Sequence, residues 1–195
     1  MIEHPSSGSG ATDTRSRIVE AGARCIARDG IADASMAAIA MEAGVSKALL
    51  HYHYRDRATL LAEIVERIGA RLIIRERAAV DEVGAVSCLD ALWNWLSEEL
   101  RRGELASLGA LALVREEAIR DASRTVADHR RQSAAQTVAY LFGQLDLVPR
   151  LPPELMAEAT VAFTDGLALD VASGSSRDPR VSFDIFWLGL LGLAE

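Results

Sequence analysis

The chain has 195 residues, half of them hydrophobic, and a formal net charge of −7. That length and apolar share suit one large or two small globular domains with ample core and exclude a disordered chain. No apolar run reaches the roughly 20 residues that a membrane helix needs, residues 1–11 lack an apolar signal-peptide core, and a soluble cytoplasmic protein is expected.

Charge is divided unevenly along the chain. Residues 1–61 carry seven basic and seven acidic side chains, whereas residues 62–195 carry 14 basic and 21 acidic. An acidic protein is not a general polyanion binder, so any specific nucleic-acid contact belongs to the neutral N-terminal part. The two cysteines, Cys25 and Cys88, lie in helical patterns without metal-ligand spacing around them. They read as buried, reduced thiols.

Strand signals are nearly absent and helical periodicity is almost continuous, which predicts an all-α chain of about nine helices. A first helix is expected over about 14–29, capped by Thr12 or Asp13, ended by Gly30, and apolar along Ile18, Ala21, Cys25 and Ile26. Ser35 is a suitable cap for a short second helix, with Ile39 and Ala40 inward. Gly44 can adopt the left-handed conformation that ends it, Val45 tucks under the turn, and Ser46 caps a third helix over about 47–54. Helix, glycine, apolar residue, cap, short helix is the order of a helix-turn-helix.

Asp56 is placed to cap a long fourth helix over about 57–80, with Leu60, Leu61, Ile64, Ile68 and Leu72 in register. At 1.5 Å per residue it spans roughly 35 Å, enough to leave one domain and enter another. A fifth helix over about 88–102 carries Leu89, Leu92, Trp93, Leu96 and Leu100, and Gly103 ends it. A sixth follows Glu104, and a seventh, broken near 110–116, reaches about Leu145. The eighth covers about 153–173 and the ninth about 181–194.

On a helical wheel, Leu50 and Tyr54 share the side of the third helix that faces the first two. Ala48, Leu49 and Tyr52 point away, and Lys47 with His51 forms a flank. A groove-reading helix needs this division: an anchored face, an outward face for base edges, and flanks for phosphates. Leu49 offers apolar contact to a thymine methyl. Tyr52, His53 and the amides after Ser46 can donate to phosphates, and Arg57 can hold a neighbouring one. On spacing alone an ordinary bundle helix remains equally open. His51 and His53 point about 200° apart on a helix, so no metal site is expected.

The ninth helix, from Val181 through Phe183, Phe186, Trp187 and Leu190, is apolar nearly all round. Such a helix must be covered on every side, and a second copy of the chain can do this. Helices eight and nine are therefore expected to form a homodimer through Phe163, Leu167, Val171, Phe183, Phe186, Trp187 and Leu190, with Gly166, Gly189 and Gly192 allowing close approach. Helix seven carries a row of Val126, His129, Ser133, Thr137, Tyr140 and Leu141. A ligand cavity lined by Trp93, His129, Gln132, Gln136, Tyr140 and Phe142 is one explanation of its polar members. Side chains satisfied by each other or by water are another.

Residues 14–66 resemble the N-terminal domain of the TetR (tetracycline-repressor-like) family of bacterial transcriptional regulators. The matching pieces stand in family order: Arg17-Ile18, Ala21, Gly30-Ile31, Ser35, Ile39-Ala40, Ala43-Gly44-Val45-Ser46-Lys47, Leu50, Tyr54, Arg57 and Leu60-Leu61. The family usually has glycine-threonine in place of Ala48-Leu49, tyrosine in place of His51 and phenylalanine in place of Tyr54. The resemblance implies a helix-turn-helix domain over 12–56 behind a flexible tail (1–11), and an effector-binding and dimerisation domain over 57–195. It also places Ser35, Lys47, Ala48, Leu49, His51, Tyr52 and Arg57 at DNA-contacting positions. A repressor released from a palindromic double-stranded operator by a small-molecule effector is expected, with no cofactor. No nucleophile and base, phosphate loop or metal set is readable. An all-α enzyme, or a scaffold whose helix-turn-helix no longer binds DNA, stays as the alternative.

Overall fold

The computed structural model of the chain describes residues 8–81 and 88–195. Among the described residues there are nine helices: α1 (Gly8–Asp33), α2 (Met36–Ala43), α3 (Lys47–His53), α4 (Arg57–Asp81), α5 (Cys88–Arg102), α6 (Glu104–Ala112), α7 (Glu117–Gln144), α8 (Pro153–Ala172) and α9 (Pro179–Leu191). Their only β-type pairing is an isolated antiparallel bridge between Pro149 and Ala194. No described helix is long and apolar enough to cross a membrane.

Local chemistry sets the boundaries around α2 and α3. The Ser35 hydroxyl accepts the Ala38 N–H at 3.1 Å, the Ser46 hydroxyl accepts the Leu49 N–H at 3.1 Å, and the Asp56 carboxylate accepts the Thr59 N–H at 2.7 Å. Between them, Gly44 sits at φ 64°, ψ 36°. Its N–H reaches the Met41 carbonyl at 3.1 Å, while the Val45 N–H reaches Ala40 at 3.0 Å. This double bond pattern ends a helix through a left-handed residue. A Cβ at Gly44 would find space, its nearest neighbour being Arg17 Nη2 at 3.8 Å, so the penalty for a side chain is dihedral strain alone. Gly44→Ala is expected to destabilise the chain by about 1 kcal/mol, seen as a small fall in the urea midpoint at unchanged slope.

The first helix departs from expectation at both ends. It begins at Gly8, so Thr12 and Asp13 lie inside it rather than capping it, and helical backbone enters the stretch expected as tail. Residues 1–7 lie outside the described residues. Gly30 does break the regular helix, at φ 82°, but one more turn follows to Asp33.

α4 joins the two halves. Leu60, Leu61 and Ile64 are buried under α1–α3, and Leu72, Glu76 and Val80 are buried in the body. Close approach fixes it on both sides. A Cβ at Gly22 of α1 would stand 2.3 Å from Ile64 Cδ1, and one at Gly69 would stand 2.4 Å from Val126 Cγ1 of α7. An ionic chain runs across the same junction. Arg71 bonds Glu20 of α1 and Glu104 of α6, and Arg75 bonds the same Glu104 at 2.6 Å and grips both oxygens of Glu99 at 2.6 and 2.7 Å. Cys25 and Cys88 are buried free thiols, each pushed up in pKa by burial as its largest cause.

Candidate functional site

α3 is held from behind and open in front. Leu50 and Tyr54 are fully buried. The Arg15 guanidinium lies 5.0 Å from the Tyr54 ring centroid and pairs with Glu63 of α4 at 2.5 Å. Arg17 Nη2 donates to the Ala43 carbonyl at 2.9 Å, fixing the end of α2 beside the turn. Outward, Lys47, Ala48, Leu49, His51 and Tyr52 are all exposed, and Tyr52 is 80% exposed. Ser35 and Ser46 are exposed beside them, their hydroxyls accepting cap bonds. His53 is half-buried, edge-on to Tyr52 at 5.4 Å.

Arg57 stands differently from its expected place on a phosphate. It is half-buried, and its guanidinium donates to the Ile31 carbonyl and to that of Ala34 at 3.4 Å. It ties the start of α4 to the α1–α2 connection, where two carbonyls would otherwise lack partners.

The body contains a cavity of about 30 Å³ between α4, α5, α7, α8 and α9. Its apolar walls include Leu72, Leu96, Phe183 and Trp187. Its polar lining is Glu76, Trp95, Arg130, Thr137, Thr160 and Thr164. Glu76 accepts the Thr137 hydroxyl at 2.8 Å, and burial holds its carboxyl above the ordinary carboxylate range. Arg130 pairs with Asp165 at 2.7 Å. The Trp95 indole N–H is buried without a hydrogen-bond partner.

None of the six residues expected around a ligand lines this cavity. His129 and Gln132 are exposed, Gln136 accepts a bond from Arg77 at 2.9 Å on the surface, and Tyr140 faces a separate groove with Val80 and Ser133. Phe142 is sealed in the core, and Trp93 packs at a tilt against Phe183, centroids 5.3 Å apart, under the Arg180 guanidinium. The buried face of α7 includes Val126, Ser133, Thr137 and Leu141 of the expected row, but Arg130, Ala134 and Val138 complete it where His129 and Tyr140 were expected. Glu76, Trp95 and Arg130 are the cavity groups the sequence reading missed. A charged residue interrupting an apolar stripe on α4 was the readable signal for Glu76.

The expected dimer residues divide in the same way. Leu167, Phe183, Trp187 and Leu190 are buried within their own chain, and Phe163, Val171 and Phe186 are half-buried, with Phe163 and Phe186 stacked at 4.2 Å. The exposed large apolar side chains of these helices are instead Leu155, Leu169, Val181, Ile185 and Leu188, the last two 66% and 71% exposed. Gly166 and Gly189 are exposed as well, and a Cβ on either would meet nothing within 4 Å.

A capped three-helix head on a long helix, with a helical body behind it, defines a helix-turn-helix regulator. Residues 18–64 match the family described as "Bacterial regulatory proteins, tetR family". That segment is the DNA-binding domain of the family. It is 29% identical over 86% of its length, and 88% of the relative's, to the nicotine-responsive transcriptional repressor HdnoR of Paenarthrobacter nicotinovorans. It is 28% identical over 46% of its length to the transcriptional regulator TtgR of Pseudomonas putida, spanning only 44% of that protein. A solved TetR transcription regulator from Haloarcula marismortui shares the fold with a TM-score of 0.75 at 18% identity, over 94% of this chain and 100% of that one.

Proposed function

We propose that this protein is a homodimeric transcriptional repressor that leaves a palindromic operator when a small molecule occupies the body. The observation that carries the DNA side is the outward face of α3, where Lys47, Ala48, Leu49, His51 and Tyr52 are exposed on a helix anchored by Leu50 and Tyr54. Ser46 and the free amides beside it suit a phosphate, Lys47 supplies charge, and Leu49 and Tyr52 suit base edges. Two such helices about 34–36 Å apart read successive major grooves, which calls for a dimer. The exposed apolar face of α8 and α9 offers one. That HdnoR is named nicotine-responsive supports a small-molecule signal.

The cavity supports the release step. At about 30 Å³ it holds little beyond water, so an organic effector must part the helices around it. α4 carries both a cavity wall, through Leu72 and Glu76, and the floor of the DNA-binding head, through Leu60, Leu61 and Ile64. An effector that favours a wider cavity therefore favours a different head position, and that differential affinity is what release requires.

The test is an anisotropy titration on the upstream intergenic DNA of its own gene. Binding should be sequence-dependent and fall steeply with salt. Lys47→Ala together with Tyr52→Ala should weaken it on the order of 100-fold. Equal affinity for unrelated DNA, or an unchanged affinity in the double variant, would overturn the reading.

A further inference from the structure

The buried carboxylate of the body cavity has no counter-ion bonded to it. One carboxylate and one guanidinium line the wall, Glu76 and Arg130. Arg130 is already committed to Asp165 at 2.7 Å and lies near the Thr164 hydroxyl at 3.5 Å. Glu76 is left with a neutral partner, the Thr137 hydroxyl. The other cation whose field reaches it, Arg77, is turned to the surface and bonded to Gln136. Buried carboxylates are normally paired. Around this one the walls are aromatic: Trp95, Phe183 and Trp187. Aromatic faces attract cations, and this cluster already does so, since the Arg180 guanidinium stands 5.7 Å from the Phe183 centroid.

We propose that the effector of this protein is a compact organic cation, an amine or quaternary ammonium whose charge pairs with Glu76 and whose apolar body lies against Trp95 and Trp187. The unpartnered Trp95 indole N–H adds a second preference, for a hydrogen-bond acceptor elsewhere on the same molecule. The assignment rests on the effector reading above and gives it a chemical class. It also carries a pH signature. Burial holds Glu76 protonated to higher pH than an ordinary glutamate, against the lowering fields of Arg130 and Arg77. A permanently charged ligand must find the carboxylate ionised, so its affinity should rise with pH through that raised range, whereas a neutral ligand shows no such rise.

The experiment uses the full chain, Trp fluorescence and thermal shift, and three benzyl probes: the isosteric pair benzyltrimethylammonium and neopentylbenzene, and the anion phenylacetate. The cation should bind on the order of tenfold more tightly than the neutral probe, and phenylacetate should bind more weakly than either. Glu76→Gln, which keeps the shape and can still accept from Thr137, should erase the preference and its pH dependence. If that variant does not fold, the pH profile of the wild-type chain decides the matter. Equal binding of cation and neutral probe, tighter binding of the anion, a flat profile for the cation, or a preference that survives in Glu76→Gln would each overturn the proposal. Adding operator DNA separates the two readings. Cation binding at Glu76 without DNA release leaves the site standing and removes its effector role. Release by a neutral or anionic compound alone does the reverse.

Discussion

Ile185→Glu combined with Leu188→Glu should convert the proposed homodimer to monomers at micromolar concentration. Both side chains lie on the outer face of α9, at 66% and 71% exposure, so the isolated chain loses almost nothing when they change. In a twofold interface each substitution counts twice, and each buried Leu or Ile contributes about 1.5–3 kcal/mol. Four carboxylates brought together in place of four aliphatic side chains add desolvation and repulsion to that loss. Operator affinity should fall by 10²–10⁴, the order gained when two half-sites are read by linked rather than separate heads. Light scattering gives the mass and anisotropy the affinity. Phe183→Ala provides the contrast. Phe183 is buried against Trp93 and Trp187, so its loss should cost about 3–5 kcal/mol of folding stability while the outer face stays intact. A double variant that remained dimeric would place the interface elsewhere.

What was legible in the sequence was whatever is decided within one turn of chain. Ser35, Gly44, Ser46 and Asp56 act on backbone groups no more than four residues away, so their caps and turn could be read directly. The sides of α3 were legible for the same reason, since a single apolar anchor, Leu50, sets the phase of so short a helix. Helix α7 was not. Its inward face includes Arg130, a residue that ordinarily marks the solvent side, and Arg130 turns inward only because Asp165 of α8 neutralises it. That partner lies 35 positions away, beyond any local pattern. Local spacing alone puts His129 and Tyr140 on one side with Val126, Ser133, Thr137 and Leu141, and only the last four are buried. Helix α9 failed in another way. When every face is apolar, periodicity cannot say which face belongs to the chain and which to a partner. Ring size points Phe183 and Trp187 to the partner, whereas they pack inward on Trp93 and on each other. Arg57 was read by its charge, but the open carbonyls of Ile31 and Ala34 draw it in.

The second large effect is expected at the ionic junction between head and body. Arg75→Met should destabilise the chain by about 3–5 kcal/mol. The reason lies in Glu99, whose side chain is 1% exposed and whose two oxygens both depend on Arg75. Removing the guanidinium leaves a carboxylate in the core with neither water nor a counter-ion. Glu104 is affected less, because Arg71 still reaches it at 2.5 Å. Thermal unfolding should move down on the order of 10 °C for a chain of this size. Arg75→Met with Glu99→Leu should recover most of the loss, since an apolar pair of similar volume avoids the cost of burying charge at all. Recovery would show that the pair is not what holds the body together. Its retention then needs another reason, and its position supplies one. Glu99 and Glu104 belong to α5 and α6, Arg71 and Arg75 to α4, and Glu20 to α1, so the chain of charges ties both body helices to the head through the one helix they share. In the recovered double variant, operator binding without effector should persist while release by effector weakens. Release at full strength would assign the pair to folding alone.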